Sequence, residues 1–170
     1  MKKILRSVFV LCFALVMLVP TTFATEAEEI PQWYDAALTD EEIAAILALN
    51  PNNSTTENQN TRASDLIAFY TIGISKEGST LYVAGKTTGT SQVVKSGFKE
   101  VVIQRRTSSS ASWSDYVTYE DLYIDEVGYT LAKALTVPSG YQYRVTCIHY
   151  AKKNLFSVQK IDNVSNVLTF

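Results

Sequence analysis

The chain has 170 residues, two cysteines and a net charge of −2, with 46% apolar and 19% charged residues. A chain of this size builds one domain with a real core, and two cysteines exclude a disulfide-dense scaffold. The weak net charge excludes a general polyanion binder, so no nucleic-acid partner is expected.

Met1-Lys2-Lys3-Ile4-Leu5-Arg6 makes a short cationic start, and Ser7 to Val19 is almost wholly apolar. Pro20 breaks that run, and Thr22-Phe23-Ala24 places small residues where a signal peptidase inspects the chain. Residues 1–24 therefore read as a secretory signal peptide, and the apolar core falls short of the 20 or so residues a spanning helix needs. The mature product is expected to be secreted, extracellular and without a membrane partner once the signal is removed. Cys12 leaves with the signal, so Cys147 is the one thiol of the mature chain and packing must hold the domain together.

Charge divides the remainder. Thr25 to Asp65 carries nine acidic residues and one basic residue, Arg62, whereas Leu66 to the end carries eleven basic and eight acidic residues. Residues 25–50 read as an acidic arm. Within it Thr39-Asp40-Glu41-Glu42 forms a capping box, which predicts a helix over 39–50 that Asn50-Pro51 ends. Ile43, Ile46, Leu47 and Leu49 would give it one apolar face, which must dock because so short a helix is unstable alone. The arm is expected either to cover a sheet edge, or to act as a pro-segment or partner-binding tail. Residues 51–65 are polar and read as a linker. Asn52, Asn53 and Asn163 lie in N-x-Ser/Thr triplets.

From residue 66 to 170 the period changes to alternation. Seven strands are predicted, at Leu66–Ser75, Leu81–Thr88, Phe98–Arg106, Tyr116–Ile124, Tyr129–Val137, Tyr141–Tyr150 and Phe156–Ile161, with turn residues between them. No helical pattern interrupts them, so the expected fold is an all-β, antiparallel sandwich of seven strands.

Two stretches give that sandwich a family likeness. Val101-Val102-Ile103-Gln104-Arg105-Arg106, a serine-rich turn and Trp113 resemble the third strand of a fibronectin type III module within the immunoglobulin-like sandwiches. Val137-Pro138, Gly140 and Tyr143-x-Val145-x-Cys147 resemble its later turn and sixth strand, which implies that Tyr143 is a corner tyrosine bonded to backbone upstream. The early-strand tryptophan common in such modules is missing. The whole layout also resembles a family of small uncharacterised secreted proteins of Gram-positive bacteria, a domain of unknown function. The shared segments are Gly85-Lys86-Thr87-Thr88-Gly89-Thr90 and Tyr143 to Ala151. Neither resemblance implies an activity.

No catalytic residue, metal ligand or cofactor is assigned. Cys147 and His149 share a strand face, but residues so placed line a sheet, and a buried thiol acts as a small hydrophobe; His149 is expected at the border of the core. Gly85-Lys86-Thr87 lacks the spacing of a phosphate loop and reads as a turn at a strand end. Glu120, Asp121, Asp125 and Glu126 read as a solvated edge rather than a calcium site. The candidate binding surface is aromatic: Trp113, Tyr116, Tyr119 and Tyr123, with Tyr119 and Tyr123 sharing one parity and Tyr116 opposing them. Trp33 and Tyr34 in the arm join that set. The function expected is a non-enzymatic binding protein with a protein or glycan partner. A structural or matrix component, or a small exported toxin-like product, is the alternative; an enzyme is least expected.

Overall fold

A computed structural model describes residues 31–50 and 65–170; the signal peptide, Cys12, Asn52, Asn53, residues 25–30 of the arm and residues 51–64 of the linker lie outside the described residues. In chain order the elements are β1 (Tyr34–Asp35), α1 (Asp40–Ala48), β2 (Ile67–Glu77), β3 (Thr80–Gly89), β4 (Lys95–Arg106), β5 (Ser114–Ile124), β6 (Gly128–Thr136), β7 (Gln142–Asn154), β8 (Ser157–Val164) and β9 (Leu168–Thr169). They form two antiparallel sheets. The first runs β1-β6-β3-β2, and the second runs β5-β4-β7-β8, with β9 also paired to β7. All seven predicted strands are present, and the all-β sandwich is the observed architecture. The two short strands β1 and β9 are additions at its margins.

Period-two burial builds this core. In β7, Tyr143, Val145, Cys147, His149 and Ala151 point inward while Arg144, Thr146, Ile148 and Tyr150 face out. Tyr143, Val145 and Cys147 meet Ile72, Ile74, Leu81 and Val83 of the first sheet, together with Phe98, Val101 and Ile103 of β4, in one continuous cluster, while Ala151 joins a second with Leu66, Ile67 and Val93. Tyr143 is fully buried, and its hydroxyl donates to the carbonyl of Pro138 at 3.0 Å. The bond runs to backbone five residues upstream, and burial pushes the phenol up to about 12.

Simple alternation breaks at several bulges, and the one at Lys99 decides where Tyr119 and Tyr123 point. Lys99 bulges out of the β4–β7 register, and opposite it Asp121 takes φ 58°. Inward positions therefore shift by one: Phe98 and Val101 both face the core on β4, as their partners Leu122 and Tyr119 do on β5. The side chains of Lys99 and Asp121 pair across this kink.

Residues 31–50 strap the first sheet. Thr39 caps α1, its hydroxyl accepting from Glu42 N–H while the Glu42 carboxylate accepts from Thr39 N–H. The helix is nine residues long, shorter than predicted, and Ile46 is its one buried side chain; Leu49 is exposed rather than part of an apolar face. The helix backbone lies so close to β2 that a Cβ on Gly73 would sit 2.5 Å from the Ile46 carbonyl oxygen.

Both flanks of the sandwich are closed by side chains. On the β6–β5 flank, β1 pairs with β6 and the Trp33 ring stacks on Tyr119 of β5. On the β2–β8 flank, Asn166 takes the place of a neighbouring strand: its Oδ1 accepts from Ile74 N–H and its Nδ2 donates to Ile74 O, each at 2.9 Å. Asn50 Nδ2 donates to Ile72 O and Val164 O, and Gln159 Oε1 accepts from Leu66 and Ile67 N–H. Edge groups that would template another strand are thus occupied.

Candidate binding face

Cys147 and His149 lie in the core. His149 is 0% exposed, not a border residue, because the sheet continues past it to Asn154 and Tyr70 and Phe98 cover its ring. The contacts fix the proton order. The Thr87 hydroxyl donates to Gly97 O at 2.9 Å, so it accepts from His149 Nδ1, 2.7 Å away. Nε2 is then bare and accepts the Cys147 thiol proton across 3.4 Å. Burial drops the imidazole to about 3 and pushes the thiol up, so both groups are neutral. This chain ties β3 of one sheet to β4 and β7 of the other as a polar cross-link inside the core. It also corrects the reading of Gly85-Lys86-Thr87 as a terminal turn. Those residues lie within β3, where Gly85 makes room for Phe98 and Thr87 turns inward to His149.

The four candidate aromatic residues do not share one surface. Tyr116 sits in a bulge of β5, packs edge-on against Tyr143 on the core side, and has the Arg105 guanidinium 4.3 Å from its ring centre. Tyr119 faces inward beneath Trp33, with its hydroxyl donating to Pro31 O and accepting from Trp33 N–H; burial raises its phenol. Trp113 is half-buried under two guanidinium groups, Arg106 at 4.3 Å and Arg144 at 4.5 Å from the ring. Of the three tyrosines only Tyr123 lies on the open outer face of the second sheet, with Trp113 at the far end of that face beside the outward-facing Arg144. The shared parity expected for Tyr119 and Tyr123 is broken at Asp121, and the opposition of Tyr116 to Tyr119 is broken by the separate bulge at Tyr116.

Tyr123 has a partner that sequence reasoning missed. It meets Tyr150 of β7 across Gly97 of β4, with ring centroids 4.8 Å apart and planes 29° apart. Gly97 is required there: a Cβ would fall 2.7 Å from the Tyr123 Cβ. The two rings, with Lys99, Val158 and Lys160, line an open cleft of about 650 Å³. The Tyr123 hydroxyl donates to Asp121 Oδ1 at 2.7 Å, which raises the phenol, and Lys95 Nζ lies 5.3 Å from the ring centre. Hydrogen bonds from Lys99 and Tyr123 hold the Asp121 carboxyl below its ordinary value. The cleft thus offers a paired aromatic wall and the ammonium groups of Lys99 and Lys160.

The acidic residues of this region are dispersed. Asp121 pairs with Lys99 and Asp125 with Lys95, and no group of three or more ligating side chains occurs among the described residues. Asn163, in the third N-x-Ser/Thr triplet, has its amide nitrogen buried, which keeps it from a glycan-transferring enzyme once folded. No helix among the described residues is long and apolar enough to cross a membrane. No family model, curated protein or solved structure matches the chain.

Proposed function

We propose that this is a secreted, non-enzymatic binding protein on a fibronectin type III-like sandwich, with a glycan as its ligand at the Tyr123–Tyr150 cleft. The carrying observation is the stacked pair of partly exposed rings beside Lys99 and Lys160 in an open cleft. Aromatic faces receive the C–H surfaces of sugar rings, and the lysines donate to hydroxyl or acidic oxygens. The fold assignment is supported by the three-plus-four order of the long strands and by the Tyr143–Pro138 corner. Export rests on the pattern of residues 1–24. The buried, neutral Cys147–His149 pair supports a non-enzymatic reading, since a nucleophile needs both ionisation and access.

The test is co-precipitation of the purified protein with a panel of insoluble polysaccharides, neutral and acidic. Retention on at least one, lost in Tyr150→Ala with an unchanged melting temperature, is expected. Equal retention of the variant overturns the reading.

A second reading is favoured by Trp113. Tryptophan and arginine dominate protein contact sites, and Trp113 stands with Arg106 and Arg144 at the far end of the same face. A protein partner seated there loses affinity in Trp113→Ala but not in Tyr150→Ala.

A further inference from the structure

One pole of the sandwich gathers most of its misplaced apolar surface. The β3–β4, β5–β6 and β7–β8 connections meet there, as the bonds from Gly89 N–H to Val127 O and from Val94 N–H to Lys152 O show. At the tip of the β7–β8 hairpin Leu155 is 81% exposed and Phe156 96% exposed, and Val94, Val127 and Val158 are exposed around them. Adjacent large apolar residues this exposed mark a contact site rather than chance surface. The tip is held in shape: Asn154 Oδ1 accepts from Phe156 N–H at 2.9 Å, and Lys153 is tied to Gln92 of the neighbouring loop.

Charge says which contact this is. From His149 to Ile161 the hairpin carries Lys152, Lys153 and Lys160 and no carboxylate, and in the adjoining β5–β6 connection, which holds Asp125 and Glu126, Asp125 is paired with Lys95. Lys152 also faces Lys95 in the ladder. We propose that the β7–β8 hairpin is a membrane-docking tip, with Leu155 and Phe156 entering the interface of an anionic lipid bilayer while the lysines meet its headgroups. A narrow, convex, apolar tip needs no complementary pocket in a fluid interface, and basic side chains behind it add attraction to anionic lipid. Such surface association uses no spanning segment. It departs from the expectation of no membrane partner; it shares Val158 and Lys160 with the sugar cleft but rests on Leu155 and Phe156, which lie outside it.

The test is sedimentation of the purified protein with vesicles of equal parts phosphatidylglycerol and phosphatidylcholine, and with vesicles of phosphatidylcholine alone. The expected result is sedimentation with the anionic vesicles that weakens with salt, and little with the neutral ones. L155S/F156S should melt at the same temperature, since both side chains are already solvated, and partition about tenfold or more weaker. In F156W, anionic vesicles should shift the emission to the blue. Failure of the unaltered protein to sediment, equal sedimentation of L155S/F156S, equal binding to neutral vesicles, or no shift in F156W overturns the proposal. So does self-association lost in L155S/F156S without vesicle binding, which would make the tip a contact between copies.

Discussion

The Trp33 ring lies flat on that of Tyr119, centroids 3.5 Å apart and planes 1° from parallel, although 86 positions separate the two residues. The Tyr119 hydroxyl also accepts from the Trp33 amide, so ring and backbone are held together. Residues 31–50 of the acidic arm are therefore part of the sandwich's flank. Replacing Trp33 by Ala should remove the stack and uncover Tyr119, lowering stability by about 2 kcal/mol or more. Thermal unfolding followed by circular dichroism would register this as a midpoint lower by about 5–10 °C. An unchanged midpoint would show that the arm adds nothing to the fold.

Acid should weaken the domain through His149. Its folded value lies near 3 whereas an unfolded histidine titrates near 6.5. Between those values the unfolded chain binds a proton that the folded one refuses, so stability falls as pH drops through that window. The slope approaches about 1.4 kcal/mol per pH unit. Urea unfolding between pH 7 and 4 should show it, and His149→Gln, less stable at pH 7, should show a flatter acid limb over the same range.

Asn166 stands in for a strand beside Ile74. Asn166→Ala removes both bonds and bares the edge of β2, with an expected loss of about 1–3 kcal/mol. Because an unpaired edge templates further pairing, the variant should also self-associate on concentration. Light scattering would detect this, and a monodisperse, equally stable variant would contradict the assigned role.

The Cys147 thiol should resist labelling. It is buried, its S–H is hydrogen-bonded to His149 Nε2, and burial pushes its ionisation far above neutral pH. A maleimide or disulfide reagent should react slowly with native protein and rapidly in denaturant. Fast native labelling would mean that β7 opens readily.

How far the amino-acid order reveals all this depends on which physical effect acts locally. Alternation located seven strands because burial on one face is written into every second residue, as β7 illustrates from Tyr143 to Ala151. The capping box of Thr39 and Glu42 was equally readable, being a contact between residues three apart. Backbone irregularities were not. Nothing in Glu120-Asp121-Leu122 announces φ 58° at an aspartate, yet that angle sends Tyr119 inward and Tyr123 outward. Gly85 and Thr87 looked like a turn because small polar residues favour turns. In place, Gly85 admits the Phe98 ring and Thr87 answers a histidine 62 residues away. The Tyr123–Tyr150 pair escaped for the same reason: the rings come from strands that do not neighbour each other and meet only across a glycine of the strand between them.

The strap of residues 31–50 has a bearing on how the chain is made. Its seats are Ala134 for Tyr34, Tyr119 for Trp33 and Val164 for Asn50, all synthesised long after the strap itself. The rings of Trp33 and Tyr34 must therefore wait uncovered until β5 and β6 have appeared, and Asn50 until the end of β8. Assembly so dependent on distant pairings is slow, and during the delay a strap from one molecule can settle on the sandwich of another. Crowded production should accordingly yield exchanged dimers, and dilution before folding should suppress them.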